Sequence, residues 1–130
     1  MSVGVLDAGV VLGWIRGRHR SRRKLETLFG GSRQKKSRLV ISTVNLAEVL
    51  IHTWQWSRST GGDAVTLLRA FGVEIHYPDE AVARRVAKLH TSLPDGFAAA
   101  TAQELNARLH ATDSELVEQL KTTRLPMSHY

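Results

Sequence analysis

The 130-residue sequence has no cysteine, only three prolines and few aromatic residues, which make up 6% of the chain. Without cysteine, disulfides, thiolate metal sites and a cysteine nucleophile are excluded, and the absence fits a reducing compartment. No apolar run approaches the roughly 20 residues that a membrane-spanning helix needs. The first residues also lack the basic segment and apolar core that mark an export signal. We therefore expect a soluble, cytoplasmic protein that does not contact a membrane.

Acidic residues are scarce in one stretch of the chain. The net charge is +6 and the isoelectric point is near 10.3. Between Arg16 and Arg38, ten basic residues stand against one acid, so this stretch carries +9 and the remainder −3. Such a basic flank suits a protein that holds a phosphate backbone, and a solvated helix face with a basic loop is the alternative. Arg16, Arg18 and Arg20 are the candidate substrate-binding residues.

The length and the alternation of elements predict one domain over residues 1–130. Strands are predicted at 3–6, 38–42, 73–77 and 108–111, separated by helical patterns. This order is typical of a mostly parallel sheet with right-handed crossovers and helices on both faces. The tail, residues 122–130, is predicted either to add an edge strand at 125–127 or to be disordered.

Periodicity and capping signals give the helix boundaries. One short helix ends at Gly17, and a second runs from about His19 to Phe29, where a pair of glycines ends it. A third begins after Thr43 as N-cap, and its buried stripe continues to Trp54. Residues 57–62 are predicted to form a turn.

Four carboxylates stand out by their positions. Asp7 and Asp113 end the first and fourth strands, Glu48 lies early on the helix after the second, and Asp95 begins a helix. Ligands bind beyond the carboxyl ends of parallel strands, and in the usual wound topology the first and fourth strands are neighbours. Taken singly, however, the aspartates are good N-caps and the glutamate is an ordinary surface residue.

If the four carboxylates met in one crevice, they would need a cation. Each close pair would repel by about 4 kcal/mol at 4 Å and an effective dielectric of 20. Oxygen ligands without histidine or cysteine spacing favour Mg²⁺ or Mn²⁺, and Mg²⁺ in proteins usually works on phosphates. The chemistry indicated is metal-assisted hydrolysis at phosphorus.

Each of the four acids lies in a short distinctive segment: Val5-Leu6-Asp7-Ala8, ISTVNLAEVL at 41–50, LPDGFAAATA at 93–102 and LHATDSEL at 109–116. Together these segments resemble the signature blocks of PIN domains. Within this family the chain is most similar to the short VapC ribonuclease toxins of prokaryotic toxin-antitoxin pairs. The resemblance covers nearly the whole chain, with the four acids in the family's order.

The resemblance implies a three-layer α/β/α sandwich with a parallel sheet of four or five strands. It also implies Mg²⁺- or Mn²⁺-dependent cleavage of RNA, a homodimer, and inhibition by a cognate VapB-like antitoxin. Asp7, Glu48, Asp95 and Asp113 match the family's metal-binding catalytic acids, and Glu115 matches an auxiliary acid.

Three positions depart from the family's pattern. Gly9 stands where members often carry Ser or Asn, and Gly96 stands where they carry a small aliphatic residue. Ala111 replaces a common Thr or Ser, although Thr112 is adjacent. A hydroxyl that orients metal ligands can matter 10- to 100-fold in affinity or activity. Because the four acids are intact, we still expect an active enzyme.

Other classes lack their defining residues here. A phosphotransferase of the haloacid dehalogenase type needs a second Asp at position 9, and a receiver domain needs an acidic pair after the first strand. Nucleotide-binding proteins carry a glycine-rich first turn with a Walker lysine or the dinucleotide spacing. The alternative that remains is a nuclease-like scaffold that binds RNA or a protein without cutting.

Two tryptophans and one histidine complete the set of candidates. Trp54 and Trp56 cannot both face inward on one helix, so one is expected in an exposed apolar patch at a dimer or antitoxin interface. The six histidines have no zinc spacing. His52, one turn beyond Glu48, is the histidine placed to support the predicted metal ligands.

Overall fold

The structure is a computed structural model that describes residues 2–60 and 62–130. Its strands are β1 (Val3–Leu6), β2 (Arg38–Ser42), β3 (Glu74–His76), β4 (Arg108–Ala111) and β5 (Met127–His129). Its helices are α1 (Ala8–Arg16), α2 (Arg22–Arg33), α3 (Thr43–His52), α4 (Trp54–Thr60), α5 (Ala64–Ala70), α6 (Glu80–Leu89), α7 (Leu93–Glu104) and α8 (Ser114–Gln119), followed by a 3₁₀ turn at Lys121–Thr123. The strands form one all-parallel sheet in the order β3-β2-β1-β4-β5. The predicted parallel α/β/α sandwich is confirmed, with five strands.

Helices cover both faces of the sheet. On one face, α1, α2, α3 and α5 bury a core that includes Leu25, Phe29 and Leu68. On the other face, α7 and α8 pack on the sheet and α6 lies against α7. Ala98, Ala99 and the other small side chains of α7 let this helix approach the strands closely. None of the described helices is long and apolar enough to cross a membrane.

The sheet order places β1 at the centre, between β2 and β4. Leu6 at the end of β1 pairs with His110 of β4, and the Asp7 backbone N–H donates to the His110 carbonyl at 3.1 Å. Because all strands are parallel, the residues that follow β1, β2 and β4 share one edge of the sheet. The predicted neighbourhood of the first and fourth strands is therefore confirmed.

Helix α2 differs from the prediction at both ends. It begins at Arg22 instead of His19 and continues through Gly30 and Gly31 to Arg33. Each helical glycine costs about 1 kcal/mol relative to alanine, but burial of Ser32 beneath the turn at Gly72 keeps the last turn in place. Tertiary packing overrides the local stop signal.

Three predictions for the region around α3 are also wrong: its N-cap residue, the extent of its buried stripe and the turn that follows it. Ser42, not Thr43, caps the helix, because its hydroxyl accepts from the Val44 N–H at 3.2 Å. The helix ends at His52 with Thr53 as its C-cap. Helix α4 covers residues 57–60 of the predicted turn over 57–62, and residue 61 lies outside the described residues. The break at Thr53 carries Trp54 out of the buried stripe, leaving it 61% exposed.

The tail adopts one of its two predicted states. It forms an edge strand, β5, two residues later than expected and parallel to β4. The Tyr130 N–H extends this pairing by donating to the Ala111 carbonyl at 2.9 Å. The carboxyl end of β5 therefore lies at the same edge of the sheet as Asp7.

Candidate functional site

Asp7 lies at the carboxyl end of the central strand and is only 5% exposed. Its Oδ1 accepts from the Val10 N–H at 2.8 Å, which caps α1, and its Oδ2 accepts from the Thr112 N–H at 3.3 Å. Burial raises the pKa of Asp7 to about 6, the two backbone hydrogen bonds oppose the rise, and the charges of Asp95 and Glu48 add to it. Asp7 is thus both a helix cap and a carboxylate held close to two others.

Asn45 joins the elements that carry these two other acids. It lies one turn before Glu48 on α3 and is 1% exposed. Its Nδ2 donates to the Pro94 carbonyl at 3.0 Å, next to Asp95, and lies 3.5 Å from Glu48 Oε1. Its Oδ1 is buried without a hydrogen-bond partner in the described part of the chain. Asn45 is not among the site residues predicted from the sequence, although its spacing of three residues from Glu48 places both on one helix face.

Asp113 and Glu115 are arranged differently from the other acids. Both are exposed, and Asp113 Oδ1 caps α8 by accepting from the Glu115 N–H at 2.9 Å and the Leu116 N–H at 3.4 Å. The charge of Asp113 is not among those that shift the pKa of Asp7. The charges of Glu48 and Asp95 thus act on Asp7 and that of Asp113 does not, and the roles of all four acids and of Glu115 as ligands stay predictions.

The donor set fits a divalent cation by its chemistry. Within residues 2–60 and 62–130, no three histidine or carboxylate side chains converge closely enough to form a chelating group. Asp7, Glu48, Asp95 and the unpaired Oδ1 of Asn45 are nevertheless all oxygen donors, which Mg²⁺ and Mn²⁺ prefer. The mutual repulsion that helps raise the pKa of Asp7 is what a cation would relieve.

Gly9 and Thr112 form a close contact that joins the start of α1 to the end of β4. A Cβ atom at position 9 would overlap Thr112 Oγ1 and lie 3.5 Å from Asp7 Oδ1. The Thr112 hydroxyl therefore occupies the space that the glycine leaves free. Although Ala111 removes a hydroxyl two residues before Asp113, Thr112 supplies one beside Gly9, and its backbone N–H donates to the Asp7 carboxylate.

The candidate substrate-binding arginines lie near this contact. Arg16 and Arg18 line a cavity of about 360 Å³ that Gly9 and Thr112 also line. Arg20 lines the neighbouring cavity at the start of α2. The structure thus places two of the three arginines around a space that reaches the residue bonded to Asp7, and their contact with substrate stays a prediction.

Trp54 and Trp56 differ in burial, as expected for two residues that cannot both face inward on one helix. Trp56 is half-buried and packs against the core beneath α1, α2 and α3. Trp54 is exposed, as is Ile51 three residues earlier, at 72%. His52 is also exposed. The expectation that one tryptophan faces inward and the other outward is confirmed, and the interface role stays a prediction.

Comparison with known proteins gives a family match and several structural neighbours. The family model of the PIN domain matches residues 4–119. The crystal structure of VapBC2 from Rickettsia felis, bound to a DNA fragment from its promoter, contains a similar chain with 16% identity, a TM-score of 0.73 and 98% coverage of both chains. DNA-bound VapBC from Salmonella typhimurium gives 15% identity, a TM-score of 0.70 and coverage of 99% and 98%.

A third neighbour is VapBC-1 from nontypeable Haemophilus influenzae, with 18% identity, a TM-score of 0.63 and coverage of 98% of this chain and 97% of that one. At these identities the likeness shows a shared fold. No curated protein sequence matches the chain.

Proposed function

This chain belongs to the PIN domain family, and on that premise we propose that it is a metal-dependent endoribonuclease that hydrolyses RNA phosphodiester bonds. PIN domains are generally nucleases. The observation that carries the proposal is the buried Asp7 carboxylate at the carboxyl edge of the sheet, whose pKa the charges of Asp95 and Glu48 help to raise, near a cavity lined by Arg16 and Arg18. A carboxylate group of this kind would hold Mg²⁺ or Mn²⁺ against a polyanionic substrate.

The site residues would have the following roles in this reaction. Asp7, Glu48 and Asp95 would hold the cation, with Asp113 joining them by leaving the α8 cap and Glu115 assisting. Two backbone N–H groups fix both oxygens of Asp7, so its carboxylate is oriented before any ligand arrives. When bound, the cation would lower the pKa of a water molecule and neutralise charge on the leaving oxygen.

We further propose that the chain acts as the toxin of a type II toxin-antitoxin pair. Chains from three VapBC structures share its fold over nearly the full length of each chain. The exposed apolar side chains of Ile51 and Trp54 suit a protein interface better than a fully solvated surface. The partners would be a cognate VapB-like antitoxin and a second copy of the chain in a homodimer.

The test is RNA cleavage by the purified chain with Mn²⁺, with Mg²⁺ and with EDTA. We expect cleavage only with a divalent cation, and loss of cleavage in Asp7→Asn and Glu48→Gln. Asp63→Asn is the matched control, because Asp63 also caps a helix, α5, but its charge is not among those that shift the pKa of Asp7. Cleavage that survives Asp7→Asn combined with Asp113→Asn would refute the assignment to this site.

One observation favours a second candidate function, an RNA- or protein-binding module that does not cut. Asp113 is held in a helix cap, and no three potential ligands converge within the described residues. A preparation that binds RNA tightly but never cleaves it with Mn²⁺ present would favour this alternative.

A further inference from the structure

Strand β5 holds the segment that leads from β4 to Asp113. The ladder between the two strands pairs Ala111 with His129, and the Tyr130 N–H extends it by donating to the Ala111 carbonyl at 2.9 Å. The chain then turns into α8, whose N-cap is Asp113. Thr112 therefore lies just past the end of the ladder, between the paired strand and the capping acid.

The imidazole of His129 reaches Thr112 from the end of β5. Its Nε2 lies 3.2 Å from the Thr112 carbonyl oxygen. Because a carbonyl oxygen can only accept, Nε2 carries the hydrogen and donates it. The neutral tautomer with that hydrogen and the imidazolium ion both make this bond, so it does not depend on the charge of His129. The side chain thus extends the ladder by one hydrogen bond beyond Ala111.

Two successive peptide groups are held in this way, and each belongs to or contacts one of the predicted acids. The first joins residues 111 and 112. Its carbonyl accepts from the Tyr130 N–H, and its own N–H donates to Asp7 Oδ2 at 3.3 Å. The second joins residues 112 and 113, its carbonyl accepts from His129, and its nitrogen is that of Asp113. Because linked hydrogen bonds polarise one another, residues 129 and 130 act on both acids through the main chain.

The side chain of Thr112 holds the same segment from the other side. Its Oγ1 occupies the space beside Gly9, where a Cβ atom would overlap it. Thr112 is therefore fixed to α1 by its side chain, to Asp7 by its N–H and to β5 by its carbonyl. Without the bond from His129, the contact that fixes the direction of this carbonyl is lost.

We propose that His129 is a positioning residue that sets the placement of Asp113 relative to Asp7 by holding the Thr112 carbonyl. Asp113 has to turn out of the α8 cap to join a cation, and the reach of its side chain then depends on where this peptide holds its backbone. His129 itself touches neither cation nor substrate in this role. The role rests on the proposed function, because the cation is the ligand that the two acids would share.

The first measurement is hydrogen exchange of the Thr112 amide by NMR in EDTA, which needs neither cation nor activity. His129→Ala removes the donor, whereas His129→Gln keeps an N–H donor where Nε2 lies. Because the bond is exposed, water can replace it and both variants should keep the fold. We expect the Thr112 N–H, which donates to Asp7, to exchange several-fold faster in His129→Ala and at the unaltered rate in His129→Gln.

The second measurement is the Kd for Mn²⁺ of the chain without RNA, by titration calorimetry. Groups that orient metal ligands typically change metal affinity 10- to 100-fold, and His129 acts through one further peptide, so we expect His129→Ala to raise Kd about 10-fold. His129→Gln should bind Mn²⁺ as the unaltered chain does.

The matched control, Tyr130→Phe, changes the neighbouring residue of the same segment. It removes the hydrogen bond between the Tyr130 hydroxyl and His110 Nδ1, which are 2.7 Å apart, and keeps the Tyr130 N–H. It should lower the free energy of unfolding and leave both the Thr112 exchange rate and the Kd for Mn²⁺ unchanged.

An unchanged Thr112 exchange rate in His129→Ala would overturn the proposal, and so would an unchanged Kd. Equal losses in His129→Ala and His129→Gln, or in His129→Ala and Tyr130→Phe, would also overturn it, because the effect would then come from altered packing.

The outcome for His129 is separate from the outcome for the proposed function. A chain that binds no Mn²⁺ refutes the proposed function, and the exchange rates in EDTA still decide whether His129 holds the Thr112 segment. A chain that binds Mn²⁺ and cleaves RNA, and does so equally well as His129→Ala, refutes the positioning role and leaves the nuclease standing.

Discussion

Replacing Asp7 with asparagine separates the structural role of this side chain from its charge. Asparagine caps helices as well as aspartate does, so the bond from the Val10 N–H to the side-chain oxygen is kept. The amide group cannot accept from the Thr112 N–H as Oδ2 does, and that loss costs about 1 kcal/mol. Asp7→Asn also removes the buried negative charge of the ionised Asp7 carboxylate.

The gain from removing this charge depends on pH. Because the folded state raises the pKa of Asp7 from 3.8 to about 6, the ionised carboxylate destabilises the folded chain by about 3 kcal/mol above pH 6. This penalty shrinks as the pH falls through 6 and is absent below 3.8. At pH 8, Asp7→Asn should therefore be more stable than the unaltered chain by about 2 kcal/mol, and at pH 4 slightly less stable.

Urea unfolding in EDTA at pH 8 and at pH 4 measures the difference in the free energy of unfolding between Asp7→Asn and the unaltered chain. Asp63→Asn is the control, because a hydrogen bond from the Thr66 N–H lowers the pKa of this exposed cap and its neutralisation should bring no gain. Adding Mn²⁺ should stabilise only the chain with Asp7, by about 2.7 kcal/mol at 100 times Kd. An Asp7→Asn variant that is equally destabilised at both pH values would refute the reasoning.

Three further predictions concern neighbouring contacts. The first is a double-mutant cycle measured by urea unfolding. Gly9→Ala should stabilise a chain that carries Thr112→Ala by about 1 kcal/mol, but it should not stabilise the unaltered chain, where the Thr112 hydroxyl occupies the space of the new methyl group. Equal effects of Gly9→Ala in the two chains would contradict this contact. Burial lowers the pKa of His110 from 6.5 to about 4, so its contribution to stability falls by about 3 kcal/mol as the pH drops from 6.5 to 4. In the unaltered chain, the shrinking penalty of Asp7 offsets this loss as the pH falls. Asp7→Asn removes that offset, so adding His110→Gln to it should flatten the pH dependence of the free energy of unfolding. Trp54→Ala should weaken association with a second copy or an antitoxin, measured by sedimentation, without lowering stability. Trp56→Ala should lower the free energy of unfolding by about 3 kcal/mol. Unchanged association of Trp54→Ala would reject the interface.

The sequence was sufficient for the strands and for the position of Asp7. Short β-branched runs between helical patterns have few alternatives, and an aspartate after the central strand must lie at the edge where parallel strands end. The residues 38–42 and 108–111 are strands with the predicted bounds.

Contacts between distant segments left no local signal. The bond from Asn45 to the Pro94 carbonyl joins residues 49 positions apart, and Thr112 meets Gly9 only because β4 pairs with β1. The continuation of α2 past Gly30 likewise depends on the packing of Ser32 against the turn at Gly72, which helix propensity does not contain.

The most direct test of the central claim is a crystal structure of the chain soaked with Mn²⁺, in which anomalous scattering locates the ion. The account predicts one ion bound between Asp7, Glu48 and Asp95, in contact with the oxygen of Asn45 or with Asp113 released from its cap. No ion at this edge of the sheet, or an ion held by other side chains, would contradict it.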